Sequence, residues 1–321
     1  MLTADLLIIS CNASDIPTGN NTSADVSFSN PRAVYIVGYT GDAMEPFISR
    51  DGSILFFNNL NSATLFNGDE NDTNIHYAER IDDVTFQYKG EVWGADTDNI
   101  SGTGPGANEL EAVASMDKNS RFYFINTIDY LDDTSPNYLL SIYRADFANG
   151  ILANIESLPN LKNDRPAGQA PVLGELNFDA EINYDGNLLY FVAGLFSGNP
   201  LPDAADIGVA WYTGGSFAVK ADSSDEFALV NTDALEYAPS ISNDGLELYF
   251  TRATGSMLMG FDFGIYVATR SSVEDAWDNV NRLASIDGDF TEAPSITFDG
   301  MLLYYHQKIS NIYRIFVVER D

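Results

Sequence analysis

The sequence of 321 residues has little cysteine, histidine or positive charge. Its single cysteine, Cys11, excludes an intrachain disulfide and a metal site built from several cysteines. Its two histidines, His76 and His306, are too few for a histidine-rich metal centre. Lys and Arg total 16 against 47 Asp and Glu, which gives a formal net charge of -31. Such a surface repels phosphate groups, so we expect neither nucleic acid nor anionic lipid as a partner.

The sequence also contains no apolar run long enough to span a bilayer, no glycine-rich phosphate loop and no G-x-S-x-G motif. What it has in quantity is apolar and aromatic residues. Hydrophobic residues make up 45% of the chain, with 20 Phe and 17 Tyr. The chain is therefore able to bury a large core, and its length suits one large all-β domain.

A short phrase recurs five times: an apolar strand, an Asp-Gly turn and a second strand that ends in two aromatic residues. Its last copy reads EAPSITFDGMLLYY. The turn aspartates are Asp51, Asp117, Asp185, Asp244 and Asp299. Gly follows in four copies, whereas the second copy has Lys118-Asn119 and one additional residue, so we expect Asn119 to adopt the positive φ there. Each phrase predicts a β-hairpin.

Each hairpin is followed by a third strand, and in most repeats by a weaker fourth. The third strands are predicted at residues 75–80, 141–145, 208–212, 265–270 and 315–320. Four short strands per repeat without helical periodicity are typical of propeller blades. The fifth repeat ends with its third strand, so we expect residues 33–39 to complete that blade. The predicted fold is an all-β, five-bladed β-propeller of four-stranded antiparallel blades, closed by an N-terminal strand.

The phrases APSISNDGLELYFTR and APSITFDGMLLYYHQ, with GIYVATR between them, resemble the TolB-type, WD-repeat-like propeller family. The resemblance covers residues 33–321 and implies one propeller domain. It says little about activity, because the family includes accessory domains of envelope proteins and peptidase propellers.

The N-terminus resembles the end of a bacterial lipoprotein signal, because a short apolar run at residues 6–10 leads directly to Cys11. We therefore expect residues 1–11 to be a truncated signal that ends at the lipidation cysteine, and residues 12–32 to be a flexible tether. Asp5 and the lack of a preceding basic residue depart from the pattern; a start site placed too late would explain both. The expected location is extracytoplasmic, in the periplasm or on the outer membrane, with a lipid anchor as the one membrane contact.

The strand before each Asp-Gly turn would line the central channel of the propeller and begin at its mouth. Six residues before the turn aspartate, the repeats carry Glu45, Glu111, Asp179, Ala238 and Ala293, and two further carboxylates lie close by. We predict an acidic ligand site formed by Glu45, Glu111, Asp179, Glu181 and Glu292. Such a cluster binds a cation or performs acid–base catalysis if its pKa values are separated. A solvated acidic rim without function is the alternative.

Two functions remain open for this site. The favoured one is a non-catalytic binding or scaffolding propeller of the bacterial cell envelope, monomeric, with a protein or carbohydrate ligand. The alternative is a carbohydrate-processing enzyme, because five-bladed arabinanase- and xylosidase-type glycosidases place three carboxylates on the inner strands of early blades. By this analogy of position, Glu45, Glu111 and Asp179 would share the roles of general base, pKa modulator and general acid.

No cofactor is required by either function, and Ca²⁺ is the one candidate. Residues 69–72 and 96–99 place oxygen ligands at alternate positions, but neither segment continues with the Gly and distal Glu of a full calcium loop. Solvated loops are the favoured interpretation. His76 and His306 are expected to be hydrogen-bonded strand histidines rather than ligands.

Overall fold

The computed structural model describes residues 26–59, 73–94, 110–127, 129–159, 161–162, 172–198, 201–220, 223–256 and 258–321. Within these ranges the regular secondary structure is β-strand, apart from a four-residue α-helix, α1 (Ser223–Glu226), and a 3-10 turn at Ala284–Ile286. The strands form five successive blades built on antiparallel strands, with a fifth, parallel-paired strand in blades 1 and 2 and a single parallel bridge, Ala205↔Leu235, between blades 3 and 4. The predicted five-bladed propeller is confirmed.

The first strand is β1 (Phe28–Ala33). Blade 1 contains β2 (Tyr35–Val37), β3 (Met44–Ile48), β4 (Ile54–Asn58), β5 (Ile75–Arg80) and β6 (Thr85–Glu91). Blade 2 contains β7 (Trp93–Gly94), β8 (Glu111–Met116), β9 (Arg121–Asn126), β10 (Ile142–Ala148) and β11 (Ile151–Ser157). Blade 3 contains β12 (Glu175–Ile182), β13 (Leu188–Leu195), β14 (Ala204–Thr213) and β15 (Ser216–Val219). Blade 4 contains β16 (Leu235–Ile241), β17 (Glu247–Ser256), β18 (Gly260–Thr269) and β19 (Asp278–Arg282). Blade 5 contains β20 (Glu292–Ile296), β21 (Leu302–Ile309) and β22 (Ile312–Arg320).

The last blade is completed by β1, which pairs antiparallel with β22 from Phe28↔Arg320 to Ala33↔Phe316. Closure by an N-terminal strand is therefore confirmed, but the predicted segment, residues 33–39, was wrong. Residues 35–37 instead form β2, which runs parallel to β6 in blade 1. The predicted tether, residues 12–32, also overlaps the closing strand. Pro31 and polar neighbours hide this strand in the sequence, and a register shift between Ser29 and Arg32 accommodates them.

The Asp-Gly turns form as predicted in four blades, where Gly52, Gly186, Gly245 and Gly300 have φ between 71° and 75°. In blade 1 the turn is closed by the Gly52 N–H, which donates to the Ser49 carbonyl at 2.7 Å. Glycine is favoured at this step because a side chain is strained at positive φ.

Blade 2 departs from the prediction, because its turn is one residue shorter than the others rather than longer. Ser120, not Asn119, has the positive φ (61°), and its N–H donates to the carbonyl of Asp117 at 3.2 Å. Asp117 therefore occupies the position of Ser49 in blade 1, two residues before the turn aspartate of the other blades. An alignment of the repeats on their aspartates consequently shifts blade 2 by two residues.

The paired aromatics of the hairpins pack between neighbouring blades. Phe56 of blade 1 contacts Phe122 of blade 2 at a ring distance of 5.1 Å, and Tyr304 of blade 5 contacts Phe86 of blade 1 at 6.0 Å. Phe28 of the closing strand meets Tyr249 of blade 4 edge-on at 5.9 Å. Burying one such ring stabilises a fold by about 1.5–3 kcal/mol, so these contacts hold the ring of blades together.

Candidate functional site

Each inner strand is interrupted by a β-bulge at the same position. The bulged residues have φ between 49° and 56°, and they are Glu45, Val113, Asp179, Ala238 and Ala293. The register of each inner hairpin shifts at this point. A bulge re-aims side chains and is common beside functional sites. Four of these residues, together with their neighbours, line a central cavity of ≈ 30 Å³. That volume suits about one water molecule and is too small for a sugar ring, so the cavity itself is not a sugar site, and Asp179 is not among its lining residues.

The sequence alignment placed Glu111 at the same position as Glu45 and Asp179, but in the structure Glu111 is not the bulge residue of its strand. The bulge of blade 2 is Val113, because the short turn shifts the repeat by two residues. Glu111 lies at the start of β8, opposite Asn126, whose side-chain amide donates to Glu111 Oε1 at 3.1 Å. Glu111 is buried in this pair rather than aligned with Glu45 and Asp179.

Glu181 lies one layer deeper, in a network that connects blades 1 to 4. Ser115 Oγ donates to Glu181 Oε2 at 2.6 Å, and Arg50 Nη2 donates to Oε1 at 2.9 Å. The Ile241 N–H also donates to Oε1, at 3.3 Å. Arg50 further donates to the carbonyls of Met116 and Ile182. Every oxygen of this carboxylate is thus occupied by protein donors, which is the arrangement of a structural ion pair.

Three of the five predicted carboxylates do form one electrostatic cluster. They are Glu45 from blade 1, Asp179 from blade 3 and Glu292 from blade 5. Asp179 is 4% exposed, and its burial, followed by the charges of Glu45 and then Glu292, raises the pKa of its carboxyl well above the ordinary range. The Ala238 N–H donates to Asp179 Oδ2 at 2.8 Å and opposes part of this rise. A carboxyl in this environment retains its proton into the range where ordinary aspartates have lost theirs.

Glu45 differs from Asp179 because it is partly exposed. The side-chain amide of Asn58 donates to Glu45 Oε2 at 2.7 Å, a bond that stabilises a carboxylate. Two neighbouring carboxyl groups therefore have different environments. Pairs of this kind are the usual basis of acid–base assignments in active sites.

Glu292 is held by two side chains that sequence reasoning did not connect to it. Tyr237 donates its hydroxyl hydrogen to Glu292 Oε1, and His306 Nε2 lies 3.0 Å from Glu292 Oε2. His306 Nδ1 accepts the backbone N–H of Glu45 at 3.0 Å, so the proton of the neutral ring is on Nε2 and points at the carboxylate. Burial and then Glu292 raise the pKa of the Tyr237 hydroxyl well above its ordinary value.

Both histidines lie in strands and are hydrogen-bonded, as predicted, but within the described residues the buried Nε2 of His76 has no hydrogen-bond partner. His306 is a buried, hydrogen-bonded strand histidine that also contacts the cluster. The hairpin register was the available signal, because Glu292 and His306 are cross-strand partners. His76 bonds the hydroxyl of Tyr88 at 2.9 Å and stacks on Phe57, and burial lowers its pKa to about 4.

The remaining predicted sites fall largely outside the described residues. Cys11 and the Asp-rich segments at 69–72 and 96–99 lie there, so lipidation and calcium binding stay predictions. Within the described ranges, no group of three or more His, Cys, Asp and Glu side chains is arranged to hold a metal ion. In the same ranges, no helix has the length and apolar character needed to cross a membrane.

No family model and no curated protein matches the sequence. Among solved structures, a glycoside hydrolase aligns with a TM-score of 0.60 at 11% identity, over 92% of each chain. The exo-beta-1,3-galactanase of Phanerochaete chrysosporium with galactose aligns at 0.50 and 13% identity, over 92% of this chain and 64% of that one. TolB from Acinetobacter baumannii aligns at 0.42 and 11%, over 87% and 55% of the two chains, a score too low to carry an argument. At these identities the likeness shows the fold, and the chain is a five-bladed β-propeller with a carboxylate cluster at one end of its inner strands.

Proposed function

We propose that this propeller is a carbohydrate-processing enzyme that hydrolyses glycosidic bonds. The observation that carries the proposal is the pair formed by Asp179 and Glu45, in which one carboxyl has a raised pKa and its neighbour is partly exposed and accepts a hydrogen bond from the Asn58 amide. Glycoside hydrolysis needs one carboxylic acid and one carboxylate on either side of the scissile bond. The glycoside hydrolases among the structural neighbours support the proposal at the level of the fold. It replaces the non-catalytic scaffold that the sequence favoured.

In this proposal Asp179 is the general acid. Its proton passes to the glycosidic oxygen as the bond from that oxygen to the anomeric carbon breaks, so the leaving sugar departs as an alcohol. Glu45 either removes a proton from the attacking water or attacks the anomeric carbon itself, which would form a glycosyl ester that water then hydrolyses. Glu292 is the third carboxylate of the cluster. Its carboxylate is fixed by Tyr237 and His306, and it helps to keep Asp179 protonated.

The direct test uses 4-nitrophenyl galactosides, xylosides and arabinofuranosides together with galactan, xylan and arabinan oligosaccharides. Asp179→Asn and Glu45→Gln should each lower kcat/KM by about 10²–10⁴-fold, the usual contribution of a positioned acid or base. Glu111→Gln is the matched control, because it makes the same chemical change outside the cluster, and it should stay within about twofold. Anomeric configuration of the first product, measured by NMR, separates the two roles of Glu45.

The proposal fails if Asp179→Asn and Glu111→Gln have the same effect on hydrolysis. It also fails if the wild-type protein binds oligosaccharides from this set without cleaving any of them, which would restore the binding module as the better interpretation. A location in the cell envelope through a lipid on Cys11, and a monomeric state, remain part of the proposal as predictions.

A further inference from the structure

Beside the carboxylate cluster, Phe290 has a backbone conformation that is unfavourable for a bulky residue. It lies two residues before Glu292, and its φ is 47°. Left-handed backbone costs a bulky residue on the order of 1–3 kcal/mol and is found most often where a functional site requires it. The ring is nevertheless 37% exposed, and it stacks on Phe263 at 4.7 Å. The strained position therefore presents an aromatic ring at the surface next to the cluster.

Lys308 lies against this ring without an acidic partner. Its Nζ is 5.1 Å from the ring centroid of Phe290 and 5.1 Å from that of Tyr313. In a chain with 47 acidic residues and 16 basic ones, most of the described Lys and Arg side chains form salt bridges. Across the described residues, no carboxylate lies within 4.0 Å of the Lys308 ammonium and no protein acceptor takes its hydrogen bonds. Cation–π contacts place the ammonium over these two rings, and no acceptor among the described protein residues takes its three N–H donors.

Two rings, those of Tyr313 and His306, separate this ammonium from Glu292 of the carboxylate cluster. The Tyr313 ring meets His306 edge-on at 5.5 Å, and His306 bonds Glu292. The backbone N–H of Lys308 also donates to the Asp289 carbonyl at 3.0 Å, which ties the hairpin to the segment that carries Phe290. The cation is thus fixed relative to the cluster by backbone and ring contacts.

We propose that Lys308, with the rings of Phe290 and Tyr313, is a subsite for an anionic substituent, a carboxylate or a sulfate ester, on the sugar that occupies the site. The inference rests on the proposed function and names the substrate class. A net charge of -31 disfavours anions at long range, but surface charges beyond about 8 Å are screened at physiological ionic strength. At closer range the ammonium supplies a charge-assisted hydrogen bond. The other interpretation is structural, in which the lysine stem simply covers Phe290.

The probes are two pairs, each an anionic sugar with its neutral counterpart: trigalacturonic acid with its trimethyl ester, and a sulfated galactotriose with galactotriose. Dissociation constants are measured by calorimetry on the Glu45→Gln protein, which cannot consume the ligand in our scheme. Lys308→Met keeps the stem and removes the charge, Lys308→Arg keeps the charge, and Lys220→Met removes the lysine that lies 3.5 Å over Trp211 in another blade.

We expect at least one anionic probe to bind more tightly than its neutral partner at low salt. Lys308→Met should weaken the binding of that anionic probe about tenfold or more, and the binding of its neutral partner by less than twofold. Lys308→Arg and Lys220→Met should bind the anionic probe with dissociation constants within about threefold of that of the Glu45→Gln protein. The anionic probe whose binding depends on Lys308 identifies the preferred substituent as a carboxylate or a sulfate ester.

The subsite is wrong if Lys308→Met weakens charged and neutral probes equally, or if no anionic probe depends on Lys308. These outcomes are separate from the test of catalysis. Hydrolysis of neutral glycosides by the wild-type protein, together with anionic probes whose binding does not depend on Lys308, would retain the enzyme and remove the subsite. Charge-selective binding without hydrolysis of any probe by the wild-type protein would retain the subsite and remove the enzyme.

Discussion

Replacing Arg50 by Met should destabilise the propeller strongly, because Arg50 compensates the buried carboxylate of Glu181. The two side chains are 8% and 4% exposed and meet at 2.9 Å. In the variant, Glu181 keeps its bonds from Ser115 and Ile241 but loses its counter-ion. Removing one partner of a buried pair costs about 3–5 kcal/mol, which for a domain of this size lowers the melting temperature by roughly 10 °C.

The assay is urea denaturation, with calorimetric melting as a second measure. Glu181→Gln introduced into the Arg50→Met protein should recover about 2 kcal/mol or more, since a neutral amide has no charge to compensate. Arg80→Met is the matched control, because the Arg80–Asp83 pair is 28% and 47% exposed and should contribute at most about 1 kcal/mol. If both arginine variants lose the same small amount, or if the double variant is no more stable than Arg50→Met, then Glu181 is not a structural partner of Arg50.

Two further predictions concern the cluster and the closing strand. The raised pKa of Asp179 means that the folded state holds this proton more tightly than the unfolded state, so stability is full below the ordinary aspartate pKa of about 4 and falls as the pH rises through the folded pKa. Asp179→Asn should therefore melt higher than wild type at pH 7–8 and lose that advantage near pH 4; an advantage that does not change with pH would contradict this. A chain that begins at residue 26 should melt like the full chain, whereas one that begins at residue 34 lacks the strand Phe28–Ala33 and should melt lower and associate through the exposed edge of β22. Size-exclusion chromatography and melting curves test both chains, and an unchanged monomer from residue 34 would show that β1 does not hold the ring closed.

The sequence was sufficient to predict the blades because their signals are local. Each Asp-Gly turn lies between strands of alternating pattern, and the predicted third strand at residues 75–80 coincides with β5. The closing strand was misplaced because its identity depends on a partner almost 300 residues away. Asn30 and Pro31 weaken its local pattern, whereas its pairing with β22 and the burial of Phe28 are tertiary effects.

The candidate site was only partly predictable, since its composition depends on register. Asp117 resembles a turn aspartate, yet its Oδ1 accepts the Arg121 N–H at 3.0 Å, as the Ser49 hydroxyl accepts that of Ile54 at 2.9 Å. Because Asp117 was aligned with the turn aspartates of the other blades, the sequence alignment placed Glu111 at the bulge position, two residues before the actual bulge residue, Val113. The bulges were also invisible, because φ is not encoded by residue type at Glu45 or Asp179. Tyr237 could not be found either, since its contact with Glu292 joins two blades.

The bulges explain why Asp179 combines a structural and a chemical role. At three of the five bulges, the backbone N–H donates to a side chain at one fixed position on the second strand of the preceding blade. His306 accepts from Glu45, Asn58 accepts from Val113 at 3.2 Å, and Thr251 accepts from Ala293 at 2.9 Å.

In blade 3 this position is Val192, the cross-strand partner of Phe178, whose side chain has no acceptor. The N–H of Ala238 is instead bound by Asp179 Oδ2. One oxygen of Asp179 is therefore committed to the backbone, and the other is left for the proton. Asp179→Asn preserves the acceptor and changes only the acid, whereas Asp179→Ala would also strand a buried N–H at a cost of about 1–3 kcal/mol. A loss of hydrolysis shared by both variants, with a loss of stability confined to Asp179→Ala, would separate the two roles of this side chain.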